Sequence, residues 1–198
     1  MSRARRAGAA AELKTLMLAE PRLTLAVAES LTAGNLQATV ASVSGSSGYF
    51  LGGVTAYSLE QKVRLLGVNR AAAKKVNCVS ARVAEEMASG AGKLFGSDFA
   101  AATTGYAEPS TADGVAEPFA WWAVAHRRRG RLVKLFSGRV ECPGEPRVAV
   151  QAIVAEAVLA ELLAELRAVR GRGVEQNSPA SAGARTTLKF IAGRRNSG

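Results

Sequence analysis

A serine lies where a strand pattern gives way to a helix pattern. Residues 23–28 are apolar and strand-like, Glu29 and Ser30 follow, and a helical pattern begins at about Thr32. A hydroxyl at such a turn lies at the rim of a sheet, beside backbone N–H groups that have no partner within the helix. The position suits a nucleophile or an anion contact, and the alternative is that Ser30 only caps the helix.

Two further polar groups follow strand-like segments. Ligands of open α/β sheets collect at the ends of strands, so a pocket shared with Ser30 is expected. The first group is Tyr57, Ser58 and Lys62, and the second is Thr103, Thr104, Gly105 and Tyr106.

The base that would activate such a serine is not a histidine. The single histidine, His126, begins an arginine-rich stretch and is expected on the surface. A Ser-His-Asp triad or a histidine-bound metal is therefore not expected, and a desolvated lysine is the alternative base. Cys78 and Cys142 have no neighbours at metal-ligand spacing, so both are expected to be reduced thiols and no metal site is predicted.

The net charge of +10 is concentrated at the two ends of the chain. Residues 1–14 hold four basic side chains against one acidic, and residues 170–198 hold six against one. The remainder is nearly balanced, so nucleic-acid binding is expected only weakly, through the basic ends. The cluster Arg127–Arg131 is interpreted as a solvated hairpin tip, because no aromatic residues are interleaved for base stacking. The alternative is a nucleic-acid or phosphate surface.

Strand and helix patterns alternate along the body, which predicts an α/β fold. One antiparallel pair makes the sheet mixed, with helices on both sides. The predicted helices are 9–18, 32–42, 59–66, 80–95 and 147–167, and the predicted strands are 23–28, 49–57, 98–104, 119–125 and 132–140.

The chain is expected to form one domain between two loose ends. We predict a flexible basic N-terminus over residues 1–8, a single domain over 9–170 and a disordered basic tail over 171–198. No apolar run approaches the roughly 20 residues that span a bilayer, so no membrane contact is expected. The N-terminus lacks the long apolar segment of a secretory signal, which favours a cytoplasmic location.

Several blocks of the sequence together resemble one family, the C-terminal domain of CinA, the competence/damage-inducible protein. The blocks are residues 28–34, 45–58, 62–68 and 79–80, in matching order and spacing. The resemblance implies a three-layer α/β/α sandwich that self-associates as a homo-oligomer. It further implies a nicotinamide-nucleotide amidohydrolase, which needs no cofactor and converts nicotinamide mononucleotide, its small-molecule substrate, to nicotinate mononucleotide and ammonia.

The family's site residues transfer to this chain one by one. The resemblance implies that Ser30 is the nucleophile, that Lys62 activates it and that Tyr57 lines the site. Backbone N–H groups near Thr32 to Gly34 would hold the oxyanion. Thr104, Gly105 and Arg147 would contact the substrate. From the residues alone, Lys62 could be a solvated helix residue, Tyr57 a core aromatic, and Arg147 a partner of Glu145.

Two departures from the family pattern lie at this site. Leu31 and Ala33 replace a cysteine and a glycine beside Ser30, which alters a turn where close backbone approach is expected. Glu108 and Asp113 bring negative charge into the 105–114 loop, where they should oppose binding of a phosphate. A second hypothesis is therefore a nucleotide-binding or interaction module with altered catalysis.

Overall fold

The computed structural model describes the backbone of residues 3–176 and the side chains of residues 7–172. It shows a mixed five-stranded sheet between two layers of helices, as the sequence predicted. The strands are β1 (Leu25–Glu29), β2 (Phe50–Thr55), β3 (Phe99–Tyr106), β4 (Phe119–Arg128) and β5 (Arg131–Glu141). The helices are α1 (Arg3–Leu18), α2 (Asn35–Ala41), α3 (Leu59–Leu66), α4 (Arg70–Lys75), α5 (Ala81–Phe95) and α6 (Arg147–Gln176).

The strand order β2-β1-β3-β4-β5 places the parallel strands together. Strand β1 pairs in parallel with β2 and β3, whereas β4 and β5 continue the sheet as an antiparallel hairpin. The carboxyl ends of β1, β2 and β3 therefore meet at one edge, and Ser30 directly follows β1 there.

The helices divide between the two faces of the sheet. Side chains of α1, α2 and α6 bury the face that carries Val27 and Ala101. Side chains of α3, α4 and α5 bury the face that carries Ala28, Ala100 and Ala102. Because these alanines are small, the helices of the second layer approach the sheet closely.

Glycines lie at two more places where secondary-structure elements pack closely together. Gly90 of α5 lies against the end of α3, and a Cβ there would stand 2.0 Å from the Leu66 carbonyl oxygen. In β2, Cβ atoms at Gly52 and Gly53 would meet the side chains of Phe95 and Gln37. The glycine pair weakens the strand pattern of the sequence, yet it makes room for these two helices to cover the strand.

Several element boundaries differ from the prediction. Helix α2 begins at Asn35 rather than near Thr32, and β3 continues to Tyr106. Helix α4 was not predicted, although Asn69 caps it by accepting from the Ala72 N–H. Both terminal helices are longer than predicted: α1 begins at Arg3, within the stretch expected to be flexible, and α6 continues to Gln176, past the expected start of the tail. The rest of that tail, residues 177–198, lies outside the described residues.

The arginine-rich stretch forms the predicted hairpin tip. Arg129 and Gly130 adopt positive φ, as the tight turn between β4 and β5 requires. Arg127 is not solvated as expected, because its guanidinium donates to the carbonyl oxygens of Gly92 and Gly130. Among the described residues, none of the helices combines the length and hydropathy needed to span a bilayer.

We expect Gly90→Ala to destabilise the fold by about 1–3 kcal/mol, because the added methyl overlaps backbone of α3. Gly8→Ala is the matched control: it lies in α1 with nothing within 4 Å of the new Cβ, and should stabilise by about 0.5–1 kcal/mol. Urea unfolding of both variants measures the two changes. Equal effects of the two substitutions would contradict the close α3–α5 contact.

Candidate active site

The amino group of Lys62 is buried and contacts three oxygen atoms. Its Nζ lies 2.9 Å from Ser30 Oγ, 2.9 Å from the Ala56 carbonyl oxygen and 2.9 Å from the Tyr57 carbonyl oxygen. Lys62 is only 1% exposed, so it is not the solvated helix residue that its sequence position allowed. The structure therefore brings Ser30 and Lys62 together in a serine–lysine pair.

Burial lowers the pKa of Lys62 from its ordinary value of 10.5, and its interaction with Cys78 opposes the shift only in part. A neutral amine has two N–H bonds and one lone pair. The two carbonyl oxygens accept the two N–H bonds, which leaves the lone pair for the Ser30 hydroxyl. In its neutral form Lys62 is therefore arranged to take the Ser30 proton.

Ser30 is placed by β1 and is not a helix cap. The residue that caps α2 is Gly34, which supplies no side chain, so the N-cap alternative is wrong. The buried Glu29 carboxylate satisfies the start of α2 instead, accepting from the N–H groups of Leu36 and Gln37 at 3.1 and 2.8 Å. Negative charge at a helix N-terminus is favourable, and it leaves the Ser30 hydroxyl free to face Lys62.

The turn between β1 and α2 contains two residues of positive φ. Ala33 has φ 49° and Gly34 has φ 103°. The glycine tolerates this conformation, but the alanine places a Cβ where L-residues are disfavoured. The departure at Ala33 therefore costs conformational energy.

The oxyanion donors differ from those expected. The Gly34 N–H donates to Glu29 Oε2 at 2.9 Å and the Ala33 N–H donates to the Ser30 carbonyl, so neither is free. Within the described part of the chain, the N–H groups of Leu31 and Thr32 have no hydrogen-bond acceptor. Of the expected set, only Thr32 remains a candidate oxyanion donor, and Leu31 joins it.

Two threonines connect the end of β3 to the site. Thr103 Oγ1 lies 2.7 Å from Thr32 Oγ1, which fixes the turn after Ser30. Thr104 Oγ1 donates to the Cys78 carbonyl oxygen at 2.7 Å and is buried. This bond holds the Cys78 backbone, so Thr104 acts at the wall of the site and its hydroxyl proton is already used.

Gly105 has a structural reason to be glycine. It lies inside β3, and a Cβ there would stand 2.4 Å from the Phe119 carbonyl oxygen of β4. The resemblance assigns Gly105 to substrate contact, and the structure shows in addition that it packs against the backbone of β4.

Arg147 and Tyr57 are hydrogen-bonded to one another beside Lys62. Tyr57 is 55% exposed, so it is not a core aromatic, and its hydroxyl accepts from Arg147 Nη2 at 2.7 Å. Arg147 also forms an ion pair with Glu108 at 2.8 Å rather than with Glu145. The structure thus brings the predicted Arg147 to Tyr57, together with a carboxylate from the altered loop.

His126 is too distant to serve as the base. It pairs with Phe99 at the start of β3, six residues before Gly105, which is about 20 Å along a strand. Its ring stacks on Phe99 at 4.3 Å, and burial lowers its pKa. The exclusion of His126 from catalysis is therefore supported, although the residue is half-buried and not a surface residue.

The contacts of three site residues were not found from the sequence. Glu29 was grouped with Ser30. Its carboxylate caps α2 from across a turn, and no capping motif in the sequence indicates this contact. Cys78 was treated as an ordinary thiol; it is free, and burial raises its pKa while it lies beside Lys62. The position of Glu108 within a charged loop was a signal, but its pairing with Arg147 spans 39 residues and could not be found locally.

The chain matches one protein family over most of its described residues. A model of the CinA C-terminal domain matches residues 8–166. The chain belongs to the CinA C-terminal domain family. A CinA-like protein of Flavobacterium psychrophilum is 46% identical over 101 residues, which cover 51% of this chain and 24% of the relative. A CinA-like protein of Shewanella baltica is 39% identical over 149 residues, covering 72% and 34%. The chain thus spans about a quarter to a third of the length of these curated relatives.

Solved structures of the same family share the fold. The competence damage-inducible protein A of Klebsiella pneumoniae superposes with a TM-score of 0.74 at 29% identity, covering 82% of this chain and 97% of that one. A competence or damage-inducible protein of Enterobacter asburiae gives a TM-score of 0.73 at 27% identity, covering 81% and 98%. The expected family and the three-layer fold are confirmed.

Covalent labelling of Ser30 should follow the protonation of Lys62. A serine-reactive phosphonofluoridate should modify Ser30 faster as pH rises through the lowered Lys62 pKa, because the neutral amine is the base. Intact-mass measurement from pH 6 to 10 gives the rates, and Ser30→Ala is the unlabelled control. Labelling of Lys62→Arg at the wild-type rate would contradict the pair.

The two residues of positive φ should respond oppositely to substitution. Ala33→Gly should stabilise the fold by up to about 1 kcal/mol, because relief of the left-handed penalty exceeds the entropy gained by the unfolded chain. Gly34→Ala should destabilise by about 1–2 kcal/mol. Thermal unfolding of both variants distinguishes them, and loss of stability in Ala33→Gly would show that the alanine is unstrained.

Proposed function

We propose that the chain is an amidohydrolase that cleaves a primary carboxamide by a serine–lysine mechanism. The observation that carries the proposal is the 2.9 Å contact between Ser30 Oγ and the buried Lys62 Nζ. A lysine that is buried without a carboxylate partner and touches a hydroxyl at the end of a strand is costly for stability and is typical of a functional site.

The mechanism follows from the contacts of these groups. Lys62 takes the Ser30 proton while Oγ attacks the carboxamide carbon, and the carbonyl oxygen gains negative charge. The N–H groups of Leu31 and Thr32 are the donors available to that oxygen. When the C–N bond breaks, the Lys62 ammonium gives its proton to the leaving nitrogen, and ammonia departs.

Water then hydrolyses the acyl-enzyme. Lys62, neutral again, takes a proton from the water as its oxygen attacks the ester carbon. The proton returns to Ser30 Oγ as the ester bond breaks, which releases the carboxylate product and restores the pair. No step requires a group other than substrate, water and the side chains already described.

The family resemblance directs the choice of substrate to nicotinamide mononucleotide. Tyr57 supports this choice of substrate, because its exposed aromatic ring beside the serine–lysine pair offers a flat surface to a planar pyridine ring. Formation of a homo-oligomer and action in the cytoplasm belong to the same proposal. As the chain spans only part of the length of its curated relatives, the proposal concerns this domain.

A second candidate is a nucleotide-binding module with altered catalysis. The observation that favours altered catalysis is the ion pair between Arg147 and Glu108, because it engages a cationic group that the resemblance assigns to substrate binding. Calorimetric titration that shows nucleotide binding without turnover would support this candidate, and turnover would exclude it.

Ammonia release tests the first candidate. Purified protein should release ammonia from nicotinamide mononucleotide, and Ser30→Ala and Lys62→Ala should each lower the rate by at least about 10³-fold, as expected when a nucleophile or its base is removed. Lys74→Ala, an exposed lysine of α4, is the matched control and should retain the wild-type rate. Full activity of Ser30→Ala would exclude the proposed nucleophile.

A further inference from the structure

Arg147, Glu108 and Tyr57 form a connected group beside the serine–lysine pair. Arg147 donates from Nη1 to Glu108 Oε1 at 2.8 Å and from Nη2 to the Tyr57 hydroxyl at 2.7 Å. The Tyr57 carbonyl oxygen accepts from Lys62. The guanidinium therefore lies one tyrosine side chain away from the catalytic amine, where the part of a substrate remote from its amide would reach.

Both terminal nitrogens of the guanidinium already donate a hydrogen bond. A phosphate binds arginine best through two parallel N–H bonds. In this site one terminal nitrogen donates to a carboxylate and the other to a hydroxyl. A phosphate that took both terminal nitrogens would displace Glu108, and one that used the remaining N–H groups would lie beside the Glu108 carboxylate. In both cases its charge of about −1.5 to −2 lies near a like charge.

The loop that carries Glu108 is anchored, which limits how far the carboxylate can withdraw. Ser110 and Val115 exchange backbone hydrogen bonds at 2.9 Å. Asp113 accepts from Ser110 Oγ at 2.7 Å and from Asn77 Nδ2 at 3.1 Å. The second acidic side chain of the loop is thus used to attach it to the segment beside Cys78, and Glu108 is held over Arg147.

We infer that Glu108 is a specificity residue that makes this site prefer the unphosphorylated form of its substrate. The inference rests on the proposed function and narrows it: the preferred class is a pyridinium carboxamide riboside rather than the corresponding mononucleotide. The riboside carries only the positive charge of its ring, which a neighbouring carboxylate attracts, and it leaves the Arg147–Glu108 pair intact. The mononucleotide adds a phosphate that the same carboxylate repels.

The experiment compares ammonia release from nicotinamide riboside and nicotinamide mononucleotide. Wild-type protein should show the higher kcat/KM with the riboside. Glu108→Gln should shift the ratio toward the mononucleotide by roughly tenfold at low ionic strength, and less at high salt, because one unit charge near the phosphate is removed. Glu145→Gln makes the same change of charge two residues from Arg147 without touching the ion pair, and should leave the ratio near the wild-type value.

The outcomes separate this inference from the proposed function. A wild-type preference for the mononucleotide, an unchanged ratio in Glu108→Gln, or an equal shift in Glu145→Gln overturns the role of Glu108 while amide hydrolysis stands. If neither substrate releases ammonia, the proposed function fails, and calorimetric affinities of the same two compounds take the place of rates. Tighter binding of the riboside, with an affinity ratio that shifts toward the mononucleotide in Glu108→Gln, then supports the inference. Equal affinities, an unchanged ratio in the variant or no binding of either compound overturns it.

Discussion

The buried amino group of Lys62 places a single constraint on three parts of the molecule. Its Nζ contacts the end of β2 through two carbonyl oxygens and the end of β1 through Ser30. Helix α3 must therefore lie close against the sheet edge, and Gly90 of α5 permits that approach. Because burial lowers the Lys62 pKa below 10.5, the unfolded chain binds more protons than the folded one between the lowered pKa and 10.5. Folding stability falls as pH drops through that window, so the site is obtained at a cost in stability.

The turn after β1 carries a second cost. Glu29 is buried, and its carboxylate accepts three backbone N–H groups of the turn and of α2. These bonds hold Ala33 and Gly34 at positive φ, and the Thr32–Thr103 contact fixes the same turn from β3. The result is a serine hydroxyl that faces the amine and two adjacent N–H groups that are not consumed by the helix. Strained or desolvated residues persist when the surrounding contacts fix their conformation. The hydrogen bonds at this edge of the sheet do so.

Much of this arrangement could be predicted from the sequence, because strong patterns lie close to the functional residues. The strand before Ser30, the helix that carries Lys62 and the α/β alternation are all visible locally, and the family resemblance joined Ser30 to Lys62. The features that were missed depend on tertiary contacts. Glu29 caps α2 across a turn whose geometry is set by positive φ at Ala33, and Glu108 finds Arg147 only after the long loop folds over the strand ends. Gly105, which the resemblance assigns to substrate contact, also has a structural reason to be glycine in the close approach of β4, and the sequence did not reveal that contact.

Catalysis by the serine–lysine pair requires that the Lys62 amine, held 2.9 Å from Ser30 Oγ, loses its proton at a lower pH than an ordinary lysine. The most direct measurement is an NMR titration of the Lys62 Cε and Nζ resonances in protein labelled with ¹³C and ¹⁵N at lysine, assigned with Lys62→Arg. The structure predicts a midpoint below 10.5 for Lys62, because burial disfavours the charged amine. A Lys62 midpoint at or above 10.5 would contradict the account, because a permanently charged ammonium cannot accept the serine proton.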